Sequence, residues 1–226
     1  MIYDGIILRC NKLIVFFLLI FCLITEVSFS EQPKSVTVLI LGDSLVQGYG
    51  LPEMDGFVPQ LEKHLIDKGS GIKLINGGVS GDTTAGGLAR LDWSLTDDIE
   101  GVVLSLGAND MLRGIPPEHS KENLNNIIQK IQGRELPVLL VGIRSIENYG
   151  KDYKYSFDNM FIELAKDFDI IYYPDLLSPI LNLQRSQFRE YFQADNIHPN
   201  AKGVSLIVED ISPFILKLVK LIESYR

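Results

Sequence analysis

Cysteine is almost missing from this chain. The two present, Cys10 and Cys22, both fall within the first thirty residues, so the remainder has no disulfide, no thiolate metal site and no cysteine nucleophile. Histidine is scarce as well, and a reaction needing an imidazole has only His64, His119 and His198 to draw on. Positive charge is in deficit, with 21 Lys and Arg against 29 Asp and Glu for a net charge of −8. Nucleic acids and anionic membranes demand clustered Lys and Arg, so neither is expected as the main partner, and the acidic balance predicts a soluble monomer. The longest unbroken apolar run, residues 13–24, is too short to span a bilayer comfortably. Internal repeats, heptads and low-complexity linkers are also lacking, which argues against a purely structural protein.

What the N-terminus does contain is Arg9 and Lys12, then that apolar run, then the more polar Thr25-Glu26-Val27-Ser28-Phe29-Ser30. This is a secretory signal pattern, with Ser28 and Ser30 as the small residues before a cleavage point after Ser30. An uncleaved anchor is the alternative reading. The signal reading gives 1–30 as a signal peptide and 31–226 as a single domain of 196 residues, enough for one sizeable core. It implies a periplasmic or secreted protein with no stable membrane anchor after cleavage.

Within that domain, apolar runs alternate with segments of helical spacing. Residues 36–41, 72–75, 101–106, 137–143 and 170–173 read as strands, and the lack of strict alternation in the first marks a strand buried on both faces. Residues 55–68, 84–93, 118–131, 151–168 and 201–223 read as helices, with Asn200 as a cap and Pro213 as a candidate kink in the last. Residues 111–118 read as a loop, and 176–192 as a short helix and a loop. Strand and helix alternating through short connections predict an α/β fold, a parallel sheet covered by helices on both faces.

Three features stand at the ends of these elements. The first strand breaks into Gly42-Asp43-Ser44, which holds Ser44 at the carboxyl edge of the sheet, where ligands of such sheets bind. The same tripeptide is also ordinary turn chemistry. Glycine-rich turns follow the second and third strands at Gly77-Gly78-Val79-Ser80-Gly81 and Gly107-Ala108-Asn109. Before the last helix stands Asp195-Asn196-Ile197-His198-Pro199. A residue preceding proline avoids helical dihedrals, so His198 should sit in a turn where Asp195 can reach its Nδ1. That geometry suits a general base for a serine hydroxyl, and the N–H groups of Ser44 and Gly81 with the Asn109 amide could converge on an oxyanion. A purely capping role for this turn is the alternative. One histidine and one carboxylate are too few for a metal. His64 reads as surface or partly packed, and His119 as a capping or exposed residue.

Taken together, Gly42-Asp43-Ser44-Leu45, Ser80-Gly81-Asp82-Thr83, Gly107-Ala108-Asn109-Asp110 and Asp195-Asn196-Ile197-His198 resemble, in order, the four blocks of the SGNH, or GDSL, hydrolases. Within that family the chain most resembles the small periplasmic thioesterase, lysophospholipase and arylesterase group, on stretches such as Gly86-Gly87-Leu88-Ala89-Arg90-Leu91, Leu112-Arg113-Gly114 and Asn148-Tyr149-Gly150. The resemblance implies a three-layer α/β/α sandwich with a five-stranded parallel, flavodoxin-like sheet. It implies a serine hydrolase of acyl esters or thioesters that needs no metal or cofactor and acts on a small-molecule or lipid substrate. By it, Ser44 is the nucleophile, His198 the base, Asp195 its partner, and Ser44, Gly81 and Asn109 the oxyanion donors. Arg113, Gly114, Ile115, Pro116 and Tyr149 would line the acyl site. A carbohydrate acetylesterase, or a binding protein without turnover, are the alternatives on the same blocks.

Overall fold

The computed structural model describes residues 35–226, and the segment read as a signal peptide, 1–30, lies outside the described residues. In chain order the elements are β1 (Val36–Gly42), α1 (Ser44–Gln47), α2 (Phe57–Asp67), β2 (Ile72–Gly78), α3 (Thr84–Ser94), β3 (Gly101–Ser105), α4 (Ala108–Leu112), α5 (Pro117–Gln132), β4 (Val138–Val141), α6 (Lys151–Asp167), β5 (Ile171–Tyr173), α7 (Ser178–Leu181), α8 (Phe188–Tyr191) and α9 (Ala201–Ser224). The strands form one parallel sheet in the order β2-β1-β3-β4-β5. The connections run outward from β1 in both directions, and the crevice of such a sheet opens at that reversal, between β1 and β3.

Side chains of a strand alternate between faces, and here both faces are apolar. Val36, Val38 and Ile40 of β1 pack into a core layer with α2 and α9, while Leu39 and Leu41 pack into the opposite layer with α3, α5 and α6. The result is the expected α/β/α sandwich. The half-buried His64 lies between α2 and α9, its Nε2 3.2 Å from Ser212 Oγ of α9. His119 is exposed near the start of α5.

Three segments differ from the sequence reading. β2 continues past residue 75 to Gly78, because its glycines let neighbours come close. A Cβ on Gly77 would lie 2.9 Å from the Ile40 carbonyl oxygen, and one on Gly78 would lie 2.2 Å from Gln47 N. Residues 108–112, at the entry to the expected 111–118 loop, form α4. Residues 176–192 carry two short helices, α7 and α8, instead of one. Pro213 lies inside α9 without ending it, and the Asn200 side chain caps that helix by accepting the N–H groups of Lys202 and Gly203.

Candidate active site

The site grows from the carboxyl end of β1. A Cβ on Gly42 would stand 2.2 Å from Val46 Cγ2 and 2.9 Å from the Ser105 carbonyl oxygen, so glycine is what lets the chain turn straight from strand into α1. Asp43 caps α1, its Oδ1 accepting the Leu45 N–H at 3.1 Å. Ser44 is thereby the first residue of α1, where a helical N–H has no partner within its own helix. The N–H groups of Ser44 and Gly81 donate to no acceptor among the described residues.

The second part is the turn ahead of α9. Gln193 N–H donates to the His198 carbonyl at 2.8 Å, and Phe192 pairs with Pro199, closing a tight loop in which Asn196 takes a left-handed φ of 57°. Asp195 Oδ1 accepts the N–H groups of Ile197 and His198 at 2.9 and 3.0 Å, while its Oδ2 meets His198 Nδ1 at 2.7 Å. His198 Nε2 in turn lies 2.9 Å from Ser44 Oγ. Desolvation opposes ionisation of Asp195, but the imidazole and the two backbone N–H groups outweigh it and hold the carboxyl at about 2. The Tyr49 ring stands 4.7 Å from the imidazole, centroid to centroid.

The third part is the pair of loops after β2 and β3. Gly81 adopts φ +79°, a conformation that favours glycine. Arg90 fixes this loop to β1, donating through Nε to Asp82 Oδ2 at 2.7 Å and through Nη2 to the Gly42 carbonyl at 2.9 Å. Asn109, in the first turn of α4, donates through Nδ2 to the Asp82 carbonyl at 2.9 Å and, at 3.4 Å, to Asp43 Oδ2. α4 itself is held by the fully buried Asp110, whose carboxylate accepts from Thr84 N (2.9 Å), Thr84 Oγ1 (2.6 Å) and Ser120 Oγ (3.0 Å). Asp43 is 2 % exposed, and burial pushes its carboxyl up to about 6, against the lowering pull of the Leu45 N–H and of His198.

Ser44, Gly81, Asn109 and His198 face a single cavity of about 560 Å³, with Asp195 behind His198. Beyond these groups the wall is mainly apolar, including Leu45, Met111, Leu112, Ile146, Leu177 and Phe192. Arg113, Gly114, Ile115, Pro116 and Tyr149 lie next to these loops and are not among the residues that line the cavity. Arg113 Nη2 donates to the Gly81 carbonyl at 2.7 Å, Tyr149 Oη to the Leu112 carbonyl at 3.0 Å, and Tyr153 Oη to the Ile115 carbonyl at 2.9 Å. Gly114 lies under the Tyr149 ring, and Pro116 leads into α5. In their place the wall uses residues that the sequence reading passed over: Tyr49, Arg144, Ile146, Asp175, Leu177 and Phe192. The one sequence signal for the group after β4 and β5 is their position past the carboxyl ends of those strands.

Among the described residues, no group of three or more His, Cys, Asp or Glu is arranged to hold a metal ion. The chain is similar to Esterase TesA of Pseudomonas aeruginosa, 34 % identical over 85 % of this chain and 94 % of that one. It is similar to the same degree to Thioesterase 1/protease 1/lysophospholipase L1 of Escherichia coli K12, over 79 % of each chain. The crystal structure of the psychrotrophic esterase EstA from Pseudoalteromonas sp., inhibited by monoethylphosphonate, superposes with a TM-score of 0.75 at 33 % identity, covering 81 % of this chain and 98 % of that one. With the family model for GDSL-like lipases and acylhydrolases matching residues 40–206, the chain belongs to that family and is an ester-hydrolysing enzyme.

Proposed function

We propose that the enzyme hydrolyses acyl esters and thioesters through an acyl-enzyme on Ser44. The observation that carries this reading is the unbroken hydrogen-bonded line Asp195–His198–Ser44, at 2.7 and 2.9 Å, opening into an apolar cavity. A serine hydroxyl is a weak nucleophile at neutral pH and needs a base. His198 Nε2 takes the Oγ proton as Oγ attacks the carbonyl carbon, and the ionised Asp195 fixes the ring and stabilises the imidazolium that forms. The developing oxyanion sits against the N–H groups of Ser44 and Gly81 and the Asn109 amide. Collapse breaks the bond to the leaving oxygen or sulfur, which takes the proton from Nε2. Water then gives a proton to His198 Nε2 and attacks the acyl carbon, the acyl–Oγ bond breaks, Ser44 Oγ takes the proton back from Nε2, and the carboxylic acid leaves.

The wall argues for an acyl chain over an acetyl group, since a short polar ester leaves Met111, Leu112, Ile146 and Leu177 facing water. The thioesterase and lysophospholipase named in one relative, and the phosphonate in the esterase structure, support the same chemistry. The test is hydrolysis of p-nitrophenyl esters from acetate to palmitate by the chain beginning at Glu31, beside Ser44→Ala. Medium-chain turnover that disappears in Ser44→Ala and His198→Ala, but survives His64→Ala and His119→Ala, is the expected result. A fluorophosphonate that labels Ser44→Ala as well as the parent would remove Ser44 from this role. Activity on acetate alone would favour a carbohydrate acetylesterase.

Residues 1–30 would direct the enzyme to the periplasm or the medium, where it would work as a monomer. No helix among the described residues is long and apolar enough to cross a membrane. A mature N-terminus other than Glu31 on protein recovered from the periplasmic fraction would refute the cleavage site.

A further inference from the structure

The three groups proposed to hold the oxyanion come from three separate segments, after β1, β2 and β3, and one guanidinium ties those segments together. Arg90 stands in α3 beside the fully buried Leu91, so its backbone is fixed by the core of the domain. Its Nη2 donates to the Gly42 carbonyl at 2.9 Å, just ahead of Asp43 and Ser44, and the same carbonyl accepts the Val79 N–H at 3.0 Å. Its Nε donates to Asp82 Oδ2 at 2.7 Å, immediately past Gly81. The Asp82 carbonyl in turn accepts from Asn109 Nδ2 at 2.9 Å, while the only other contact of that nitrogen is the long one of 3.4 Å to Asp43 Oδ2. One amide hydrogen is thus committed to Asp82, which fixes where the other can point. The Arg90 and Asp82 side chains are 23 % and 12 % exposed, and neither residue lines the cavity. A Cβ on Gly86 would stand 1.9 Å from Asp82 Oδ1, so glycine there gives the carboxylate its place against α3.

We propose that Arg90 is a positioning residue for the oxyanion hole: its fork sets the spacing of the Ser44, Gly81 and Asn109 donors, and kcat depends on it although it touches no substrate. The inference rests on the serine-esterase reading above and adds a residue outside the cavity to it. A guanidinium is planar and rigid, so the Gly42 carbonyl and the Asp82 carboxylate are held at one separation, which a lysine, with its charge but no fork, does not reproduce. Donors that shift by a fraction of an ångström weaken the transition state more than the bound ester, because the full negative charge exists only in the former. The signature is a fall in kcat with KM held. A pair that served stability alone would lower the folded fraction and leave the turnover of each folded molecule intact.

The test measures kcat and KM on p-nitrophenyl octanoate, with active sites counted by exhaustive fluorophosphonate labelling so that unfolded protein does not enter the rate. Arg90→Met, which keeps the apolar stem and removes the fork, is expected to lower kcat about 10- to 100-fold and to leave KM within about 2-fold. Arg90→Lys should fall between this variant and the parent. In an Asn109→Ala background the loss from Arg90→Met should shrink to less than about 5-fold, because one of the donors it positions is already gone. Arg90→Met combined with Asp82→Asn leaves no stranded carboxylate, which guards against a folding defect, and should be as slow as Arg90→Met alone. Recovery of kcat in that double variant would assign the loss to the unpaired Asp82 charge and overturn the positioning role. So would a near-parent kcat in Arg90→Met, a raised KM at unchanged kcat, or losses that multiply fully with Asn109→Ala. Each of these is read on an active parent and overturns the positioning role alone, whereas a parent that hydrolyses no ester refutes the proposed reaction and the positioning role with it.

Discussion

Replacing Asp43 by Asn should make the protein more stable at neutral pH. Asp43 is 2 % exposed, and burial lifts its carboxyl from an ordinary 3.8 to about 6. At about 1.4 kcal/mol for each pH unit, holding it ionised at neutral pH costs the folded state about 3 kcal/mol. Asparagine is neutral, nearly isosteric, and keeps an oxygen for the Leu45 N–H. It loses the acceptor for Asn109 Nδ2 at 3.4 Å, a long contact worth about 1 kcal/mol or less. The net gain is about 2 kcal/mol, or about 4–8 °C in Tm for a domain of this size. The sign follows from the raised value. Above about pH 6 the parent carries the buried charge and the gain from Asn is complete. As pH falls from about 6 toward 4, folded Asp43 takes up its proton before the unfolded carboxyl does, and the gain vanishes. Thermal unfolding by circular dichroism at about pH 7.5 and about pH 4.5 measures both limbs. An unchanged or lower Tm at the higher pH, or an equal rise at both, refutes the assignment of a buried charge. The same substitution is expected to lower kcat, because Asp43 accepts from Asn109, a donor in the proposed oxyanion hole.

Other predictions follow from single contacts. Asn109→Ala should lower kcat about 10²- to 10³-fold with little change in KM, as one proposed oxyanion donor is lost, and a near-normal rate on p-nitrophenyl esters would remove Asn109 from the site. Asp110→Ala leaves Thr84 N, Thr84 Oγ1 and Ser120 Oγ without their buried acceptor and should cost about 3–5 kcal/mol in urea unfolding, whereas a loss below about 1 kcal/mol would mean the network is dispensable. Gly78→Ala drives a Cβ to 2.2 Å from Gln47 N, a backbone atom with no easy retreat. It should destabilise by about 2–3 kcal/mol and depress turnover by displacing α1, and wild-type behaviour in both assays would contradict the close packing of β2 on α1.

Much of this architecture could be read in the chain itself. Runs such as residues 36–41 and 101–106 lack alternation because both faces are covered, and the five-stranded parallel sheet follows from their repetition with helices between. The turn at His198 was legible from Pro199, and the grouping of Ser44, Gly81, Asn109, Asp195 and His198 from the four motif blocks. The cavity wall was not. Ile146, Leu177 and Phe192 belong to no motif, and an isolated apolar residue after a strand does not declare which way its loop folds. Arg113 and Tyr149 lie in motif-like stretches, and their polar ends are taken up by hydrogen bonds to the Gly81 and Leu112 carbonyls, contacts that no motif announces. α4 was missed because five residues are too few to display a helical period, and it is held in place by Asp110 reaching across to α3 and α5.

The contact between His198 Nε2 and Ser44 Oγ joins positions 154 residues apart. In the mechanism proposed above, a polypeptide emerging from a ribosome would therefore carry its reactive hydroxyl long before it carries a base to activate it. His198 stands in the turn just ahead of α9, and that helix packs against α2, where His64 meets Ser212. On that mechanism, hydrolysis would begin only when the two ends of the domain have closed on each other. An incomplete chain would stay inert toward acyl esters, and the appearance of turnover during refolding would report that closure.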